Sequence, residues 1–411
     1  MRFICAICGE EITDINDSDE HIIPASIGGR RTVRRFLHSA CNNKAGETWD
    51  AELARQLQPL ALHFGVKRQS GQALRMKVLT TAGEEFLLGP EGSLAISKPL
   101  ITKVDSGDKT TYQITVGSES SARKVLNGLK RKHPKIDVET TLASVQATRS
   151  YAKGVFCLDI GFGGDKAGRS LVKSTLALAK AAGIPIDLCT DAVGYLQDSA
   201  PPCFGYYFVR DLIVERPAAI PLHCIAIEAT PDTGLILGYA EYFGVHRAVV
   251  CLGREYRGKA VRATYALDPR TGTQLNLNVD LSFNETDVEE IYDYQMDDIA
   301  GRQAAFGAVF SPYLQEKRKT EWECVVKDAL SYAWLNCGAT PNTMLTIADK
   351  LAIVRLFGDK AIPFLTQAQG WDVQVARHYA ELVACQILNL AASDFRFEDK
   401  SGYSQTAEPL F

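Results

Sequence analysis

The residues best suited to chemistry lie within the first fifty positions. Cys5-Ala6-Ile7-Cys8 offers two thiols, and His38-Ser39-Ala40-Cys41 repeats that spacing with an imidazole and a thiol, 29 residues intervening. Zn2+ takes four nitrogen or sulfur ligands in a tetrahedron, so Cys5, Cys8, His38 and Cys41 make a complete set of three thiolates and one imidazole. With no coordination position left open, that zinc would hold a small block together and do no chemistry itself. The competing reading is a buried CxxC pair beside an unrelated histidine. Asp19-Glu20-His21-Ile22-Ile23-Pro24 and Gly28-Gly29-Arg30-Arg31 stand inside the loop that these ligands close. Cys41-Asn42-Asn43-Lys44-Ala45-Gly46 ends that loop, with Trp49-Asp50 beyond. An acid–histidine pair, an asparagine opening a helix and a zinc brace are thus compressed into one short stretch.

Such groups need elements to position them. Short strands at Phe3-Ile4 and Glu11-Ile12 flank the Cys5–Cys8 turn, and Gly28-Gly29 breaks the chain. Residues 43–60 read as a helix with Leu53, Leu57 and Leu60 on one face. Downstream, residues 74–118 alternate β-type runs with turns, and 120–132 form a basic helix stopped by His133-Pro134. Residues 155–160 read as a buried strand leading through Gly161-Phe162-Gly163-Gly164 into a helix over 166–182. Residues 220–280 are strand-rich, the chain after Glu285 is mainly helical, and the tail after Asp394 reads as frayed.

The expected fold class is α+β. A zinc-braced block over 1–65 precedes a β-rich connecting domain with a basic helix (66–145). An α/β regulatory or specificity domain (146–285) and a mainly helical region (286–411) follow. A single core rarely exceeds roughly 250–300 residues, so 411 residues imply two or three domains. The composition, 46% hydrophobic and 23% charged with 32 Gly and 16 Pro, excludes collagen-like, coiled-coil and wholly disordered chains. A net charge of −4 announces no nucleic-acid partner by itself, so that claim must rest on local patches. There is no apolar run of roughly 18 residues, hence no expected membrane partner. The first residues turn acidic before a signal-peptide apolar region forms, so the expected location is cytoplasmic. Thiols stay reduced there, and the eight cysteines from Cys157 to Cys385 read as small core residues.

The arrangement resembles the HNH (ββα-metal) endonuclease family over roughly an eighth of the chain, in the zinc-knuckle branch that reads C-x2-C, EHIIP, GG, C-x2-C-N, G, D, with His38 standing where most such knuckles have cysteine. The resemblance implies a zinc-braced ββα-metal fold and phosphodiester hydrolysis with one catalytic divalent ion, Mg2+ or Mn2+. By position, His21 is the general base. An imidazole with its ordinary pKa of about 6.5 is largely neutral at pH 7, which suits that role. Glu20 and Asn42 align with the metal-binding and catalytic positions. Asp50 is either a further ligand or a polar support for His21, and Asp19 replaces Glu20 if the strand register shifts by one. The sequence departs from many HNH motifs at 32–37, where no asparagine stands to orient the base: either another group does so, or this branch manages without one.

Arg30, Arg31, Arg34, Arg35 and Lys44 are the candidate phosphate contacts, with Arg55 on the following helix. Residues 61–140 carry 13 basic against 8 acidic residues, several in Arg123, Lys124, Lys130, Arg131, Lys132 and Lys135, which read equally as a solvated face or a phosphate track. The Gly161–Lys166 turn either offers backbone N–H groups to a phosphate or is a plain strand-to-helix turn. The expected substrate is DNA, with RNA left open. One site cuts one strand, so double-strand cleavage requires a homodimer or two visits. The general outline is similar to long bacterial defence-associated HNH proteins, which implies an anti-phage or mobile-element role and a defence-system partner, by fold-level analogy alone. The alternative is a zinc-containing nucleic-acid-binding module whose body senses a ligand or docks a partner.

Overall fold

In the computed structural model the chain begins with two very short antiparallel ribbons. Strand β1 (Phe3–Ile4) pairs with β2 (Glu11–Ile12), and β3 (Glu20–His21) with β4 (Thr32–Val33), Glu20 facing Val33 and His21 facing Thr32. Two-residue strands do not hold themselves in water. Helices α1 (Ser39–Ala45) and α2 (Ala51–His63), joined by a π-turn at Gly46–Asp50, follow them, and Leu53, Leu57 and Leu60 of α2 are buried at helical spacing. The structure describes residues 2–69, 71, 74–107, 109–145, 151–158, 160–340 and 344–390.

Two compact units emerge, each assembled from three chain segments. The first holds Met1–Leu79, Glu85–Val138 and Cys157–Ser311; the second holds Thr80–Glu84, Glu139–Phe156 and Pro312–Phe411.

The first unit contains the basic helix α3 (Glu119–Lys130), helix α4 (Asp165–Ala181) and a six-stranded sheet. Its strands are β5 (Phe204–Tyr206), β6 (His223–Ala229), β7 (Ile236–Tyr242), β8 (His246–Gly253), β9 (Val261–Asp268) and β10 (Thr273–Leu275). They run in the order β5-β8-β7-β6-β9-β10, antiparallel throughout. Alternation along the strands sends Cys224, Ala226, Leu237, Tyr239, Val249 and Cys251 into one core with Leu212, Phe283 and Ile291. The opposite face receives α4: Thr175 fills the space above Gly238, and the Tyr242 hydroxyl donates to Ser174 Oγ at 3.1 Å. Every residue of α4 from Ala167 to Ala179 is buried, because its other side packs on the opening block. A helix buried all round must find partners for its polar side chains, and this one carries Arg169, Ser170 and Lys173.

The second unit is helical. The long helix Ile299–Asn336 enters it at Pro312, and helices Ile347–Pro363 and Val373–Ile387 complete a core of Trp322, Phe357, Phe364 and Ala380. Thr346 and Asp349 close a reciprocal capping box, and Asp372 caps the last helix. Among the described residues no helix is long and apolar enough to cross a membrane.

Two readings need amendment. The strand expected at 155–160 is only Phe156–Cys157; Asp159 lies outside the described residues, as does the tail after Asp394. Of the eight later cysteines, Cys189, Cys203, Cys224, Cys251 and Cys385 are core residues, whereas Cys157 and Cys324 are exposed and Cys337 is half-buried.

Candidate active site and metal centre

The turn between β1 and β2 is closed by hydrogen bonds from Gly9 N to the Cys5 carbonyl (3.0 Å) and from Cys5 N to the Glu10 carbonyl (2.8 Å), with Gly9 at φ +73°. It presents Cys5 and Cys8 toward the start of α1, where His38 and Cys41 stand. The ligand atoms of all four lie within 4.8 Å of one another, and His38 Nε2 is 3.4 Å from Cys8 Sγ. Tetrahedral ligands at roughly 2.0–2.3 Å from an ion are themselves about 3.3–3.8 Å apart, so the set fits zinc after small adjustments. Burial and the neighbouring thiols push Cys41 up to about 12, and burial chiefly raises Cys8. Thiols this reluctant to ionise together are what a divalent cation stabilises as thiolates. Among the described residues this is the one group of three or more His, Cys, Asp or Glu side chains that could hold a metal.

The Glu20–His21 ribbon is held from behind. Ile22 N donates to the Arg31 carbonyl (3.0 Å), and the chain reverses at Gly28, whose φ is +99°. A Cβ on Gly29 would lie 1.7 Å from the Ile23 carbonyl oxygen, so no larger residue fits that approach. Phe243 N donates to His223 Nδ1 (3.1 Å), which leaves the proton on Nε2 to be donated to the Ile27 carbonyl at 2.9 Å. Burial pulls His223 down to about 4, so it stays neutral. On the other side of the turn the Tyr265 hydroxyl accepts from Arg30 N (3.3 Å) and Arg31 N (3.1 Å). Strands β6 and β9 thereby position the motif loop.

In front of the ribbon lies an open cleft of about 310 Å3 lined by Asp19, Glu20, His21, Asn42 and Asp50, together with Glu47. The sequence-derived acid, base and amide positions therefore meet in one cavity. His21 Nε2 lies 3.3 Å from Gln69 Oε1, so Gln69 stands beside the ring that lacks the usual asparagine. Asn42 Nδ2 donates to Ser18 Oγ (3.2 Å) and the Asp19 carbonyl (3.3 Å), pinning the chain just before β3. Asp50 is engaged twice from α4: Oδ1 accepts from the Ser170 hydroxyl (2.6 Å) and Oδ2 from Lys173 Nζ (2.8 Å). Lys173 also donates to Glu20 Oε1. Lys173 is 0% and Glu20 3% exposed. Burial opposes the charge on Lys173, but Asp50 and Glu20 outweigh it and its pKa is raised. Burial also lifts Glu20 above its ordinary value against the pull of Lys173.

Mg2+ and Mn2+ are held by one or two carboxylates plus water and phosphate oxygens. Glu20 Oε2 and the Asn42 side-chain carbonyl, both on this cleft, accept no hydrogen bond among the described residues, and oxygens of this kind suit such an ion. Asp50, with both oxygens hydrogen-bonded to α4, is linked to Glu20 through Lys173.

The basic residues divide in two. Asp17, its side chain 2% exposed, pairs with Arg34 Nε (3.2 Å) and Arg35 Nε (3.6 Å), while Arg35 also reaches Asp14 and Arg34 lies 3.7 Å from Asp19. Arg30, Arg31 and Lys44 are exposed and have no carboxylate partner among the described residues, although Arg31 leans over the Tyr265 ring. Arg55 pairs with Glu52 at 2.7 Å. Lys124, Lys130, Arg131, Lys132 and Lys135 lie on and after α3. The Gly163 amide is taken by Gln56 Oε1 (3.0 Å), and Gln56 Nε2 returns a bond to the Gly163 carbonyl (2.7 Å), so that turn clips α4 to α2.

Sequence reasoning missed Lys173, Ser170 and Gln69. Lys173 had a signal: it is the lone charge in Leu171–Ala179, and a lysine in so apolar a run is buried only when paired.

A family model described as HNH endonuclease matches residues 5–58, so the chain carries an HNH endonuclease domain in its opening block. No curated protein matches the chain. No solved structure matches it either.

Proposed function

We propose that the chain is a metal-dependent endonuclease that hydrolyses phosphodiester bonds of DNA, one strand per site. The observation that carries this reading is the meeting of Glu20, His21 and Asn42 in one cleft of the domain matched by the HNH endonuclease model. His21 takes the proton from a water whose oxygen bonds to phosphorus; the P–O3′ bond breaks, and the departing 3′-oxygen takes a proton from solvent. Glu20 and Asn42 would hold a divalent ion, Mg2+ or Mn2+, which when bound would supply charge neutralisation for the phosphodiester. Gln69 orients the His21 ring, and Asn42 fixes the strand through the Asp19 carbonyl. Zinc on Cys5, Cys8, His38 and Cys41 anchors both ends of the loop that bears Glu20 and His21. Arg30, Arg31 and Lys44 grip flanking phosphates, since no carboxylate among the described residues occupies them.

The test is supercoiled plasmid incubated with the full chain and Mg2+ or Mn2+. Metal-dependent nicking that disappears in His21→Ala, at unchanged melting temperature and zinc content, supports the assignment. Nicking retained near the original rate in His21→Ala would remove His21 as the base. A chain that cleaves with neither metal but binds DNA would be a zinc-braced binding module.

A further inference from the structure

The Lys173 ammonium sits, wholly buried, between Glu20 and Asp50, two carboxylates of the proposed catalytic cleft. It comes from α4, far outside the 5–58 segment that matches the endonuclease model. Its reach is fixed: the Ser170 hydroxyl, one helical turn earlier, holds Asp50 Oδ1 on the same side, so α4 grips Asp50 at two points. Placing a buried lysine there is costly unless each carboxylate is paired, and pairing takes one oxygen of each.

We propose that Lys173 is a positioning residue that sets the metal affinity of the cleft. It occupies Glu20 Oε1 and Asp50 Oδ2, leaves Glu20 Oε2 for a divalent ion, and keeps the resting site weakly metal-binding until a phosphate oxygen completes the ligand set. The inference rests on the reading of Glu20 as a ligand of the catalytic ion. Its physics is charge counting in a poorly screened place. Glu20, Asp50 and Lys173 together carry one negative charge; without the ammonium they carry two and regain two donor oxygens. A unit positive charge a few ångströms from a divalent ion opposes binding strongly at the effective dielectric of a protein cleft. A lysine with a purely architectural role would give the opposite result on removal, a disordered and weaker site.

The experiment measures Mn2+ binding to the zinc-loaded full chain at pH 8 without nucleic acid, by the electron paramagnetic resonance of free Mn2+. Lys173→Met should bind Mn2+ at least about tenfold more tightly than the original chain, Lys173→Arg should stay near the original affinity, and adding Glu20→Gln to Lys173→Met should abolish the gain. Lys173→Met leaves two buried carboxylates facing each other and risks misfolding, so Lys173→Met/Asp50→Asn is measured beside it. The double variant frees both Glu20 oxygens without that repulsion but keeps one negative charge, so it should bind Mn2+ more tightly than the original chain by a smaller factor than Lys173→Met. Mn2+ should raise the melting temperature of both variants more than that of the original chain. Unchanged or weaker Mn2+ binding in both variants overturns the proposal. Because no cleavage is read, tighter binding in a chain that never cuts DNA would retain the role of Lys173 and remove the nuclease. Cleavage by a chain whose Lys173 variants bind Mn2+ unchanged would do the reverse.

Discussion

His223 donates from Nε2 to the Ile27 carbonyl across 2.9 Å, so a fully buried imidazole of the sheet fastens the turn that follows the Glu20–His21 strand. The same ring accepts from Phe243 N, and a protonated imidazole could not accept there. The domain matched by the endonuclease model therefore depends on the body for the geometry of its own loop.

A pH dependence follows from that bond. Burial holds His223 at about 4 in the fold, whereas an unfolded chain takes up the proton at about 6.5. The unfolded state then binds more protons between those values, so stability is full above about pH 6.5 and falls as the pH drops toward 4. The slope is about 1.4 kcal/mol per pH unit, or about 3 kcal/mol over the interval. His246, pulled down to about 3 by burial, adds a similar slope. His223→Phe should lower stability by about 2–4 kcal/mol at pH 7.5, because it leaves the Ile27 carbonyl and Phe243 amide unpaired. It should also flatten the decline between pH 6.5 and 5 to roughly half. Denaturant unfolding followed by circular dichroism at a series of pH values checks both; parallel curves for the two proteins would contradict the account.

Zinc content tests the metal centre apart from catalysis. The original chain should carry one zinc per molecule, and Cys8→Ser or Cys41→Ser should carry none and lose the melting transition of the opening block. His38→Cys should keep the metal, since a set of four thiolates is equally closed. Metal analysis by atomic emission reads these outcomes; stoichiometric zinc in Cys8→Ser would mean that the ligands are wrong. Because thiolates bind the ion and thiols do not, zinc should also leave as the pH falls.

How much of this was legible depended on distance along the chain. The four Cys and His side chains that could hold a metal were legible in their local spacing, and the two-residue ribbons, the Gly28-Gly29 reversal and the buried face of Leu53, Leu57 and Leu60 follow from short-range rules. The cleft was legible as a set of residues but not as an electrostatic site. Glu20 and Lys173 are 153 positions apart, and nothing in the Glu20-His21 pair says that an ammonium will lie against it. Gln69, beyond the motif, was invisible for the same reason. The division of the chain into two discontinuous units was likewise out of reach, since residues 80–84 and 139–156 carry no composition that separates them from their neighbours.

The last prediction separates arginines that the sequence could only treat alike. Arg34 and Arg35 both engage Asp17, a carboxylate 2% exposed that also accepts Arg35 N at 2.8 Å and Ser18 N at 3.0 Å. Either guanidinium must abandon that buried partner to reach a phosphate, so its net gain from binding nucleic acid is small. Arg30 and Arg31 give up no carboxylate, and their backbone is already fixed by the Tyr265 hydroxyl, which lowers the ordering cost of gripping a phosphate. Removing one arginine–phosphate pair should reduce the slope of log affinity against log salt by about 0.9 on duplex DNA. Arg31→Gln and Arg30→Gln should each show that reduction at unchanged stability. Arg34→Gln should leave the slope nearly intact and instead lower the melting temperature, because Asp17 loses a partner. Fluorescence anisotropy of a labelled duplex across a salt series, with melting curves of the same proteins, reads both quantities. Equal slope changes for all three variants would mean that the Asp17 pairs break freely, and that the acidic residues behind the loop do not select which arginines touch the nucleic acid.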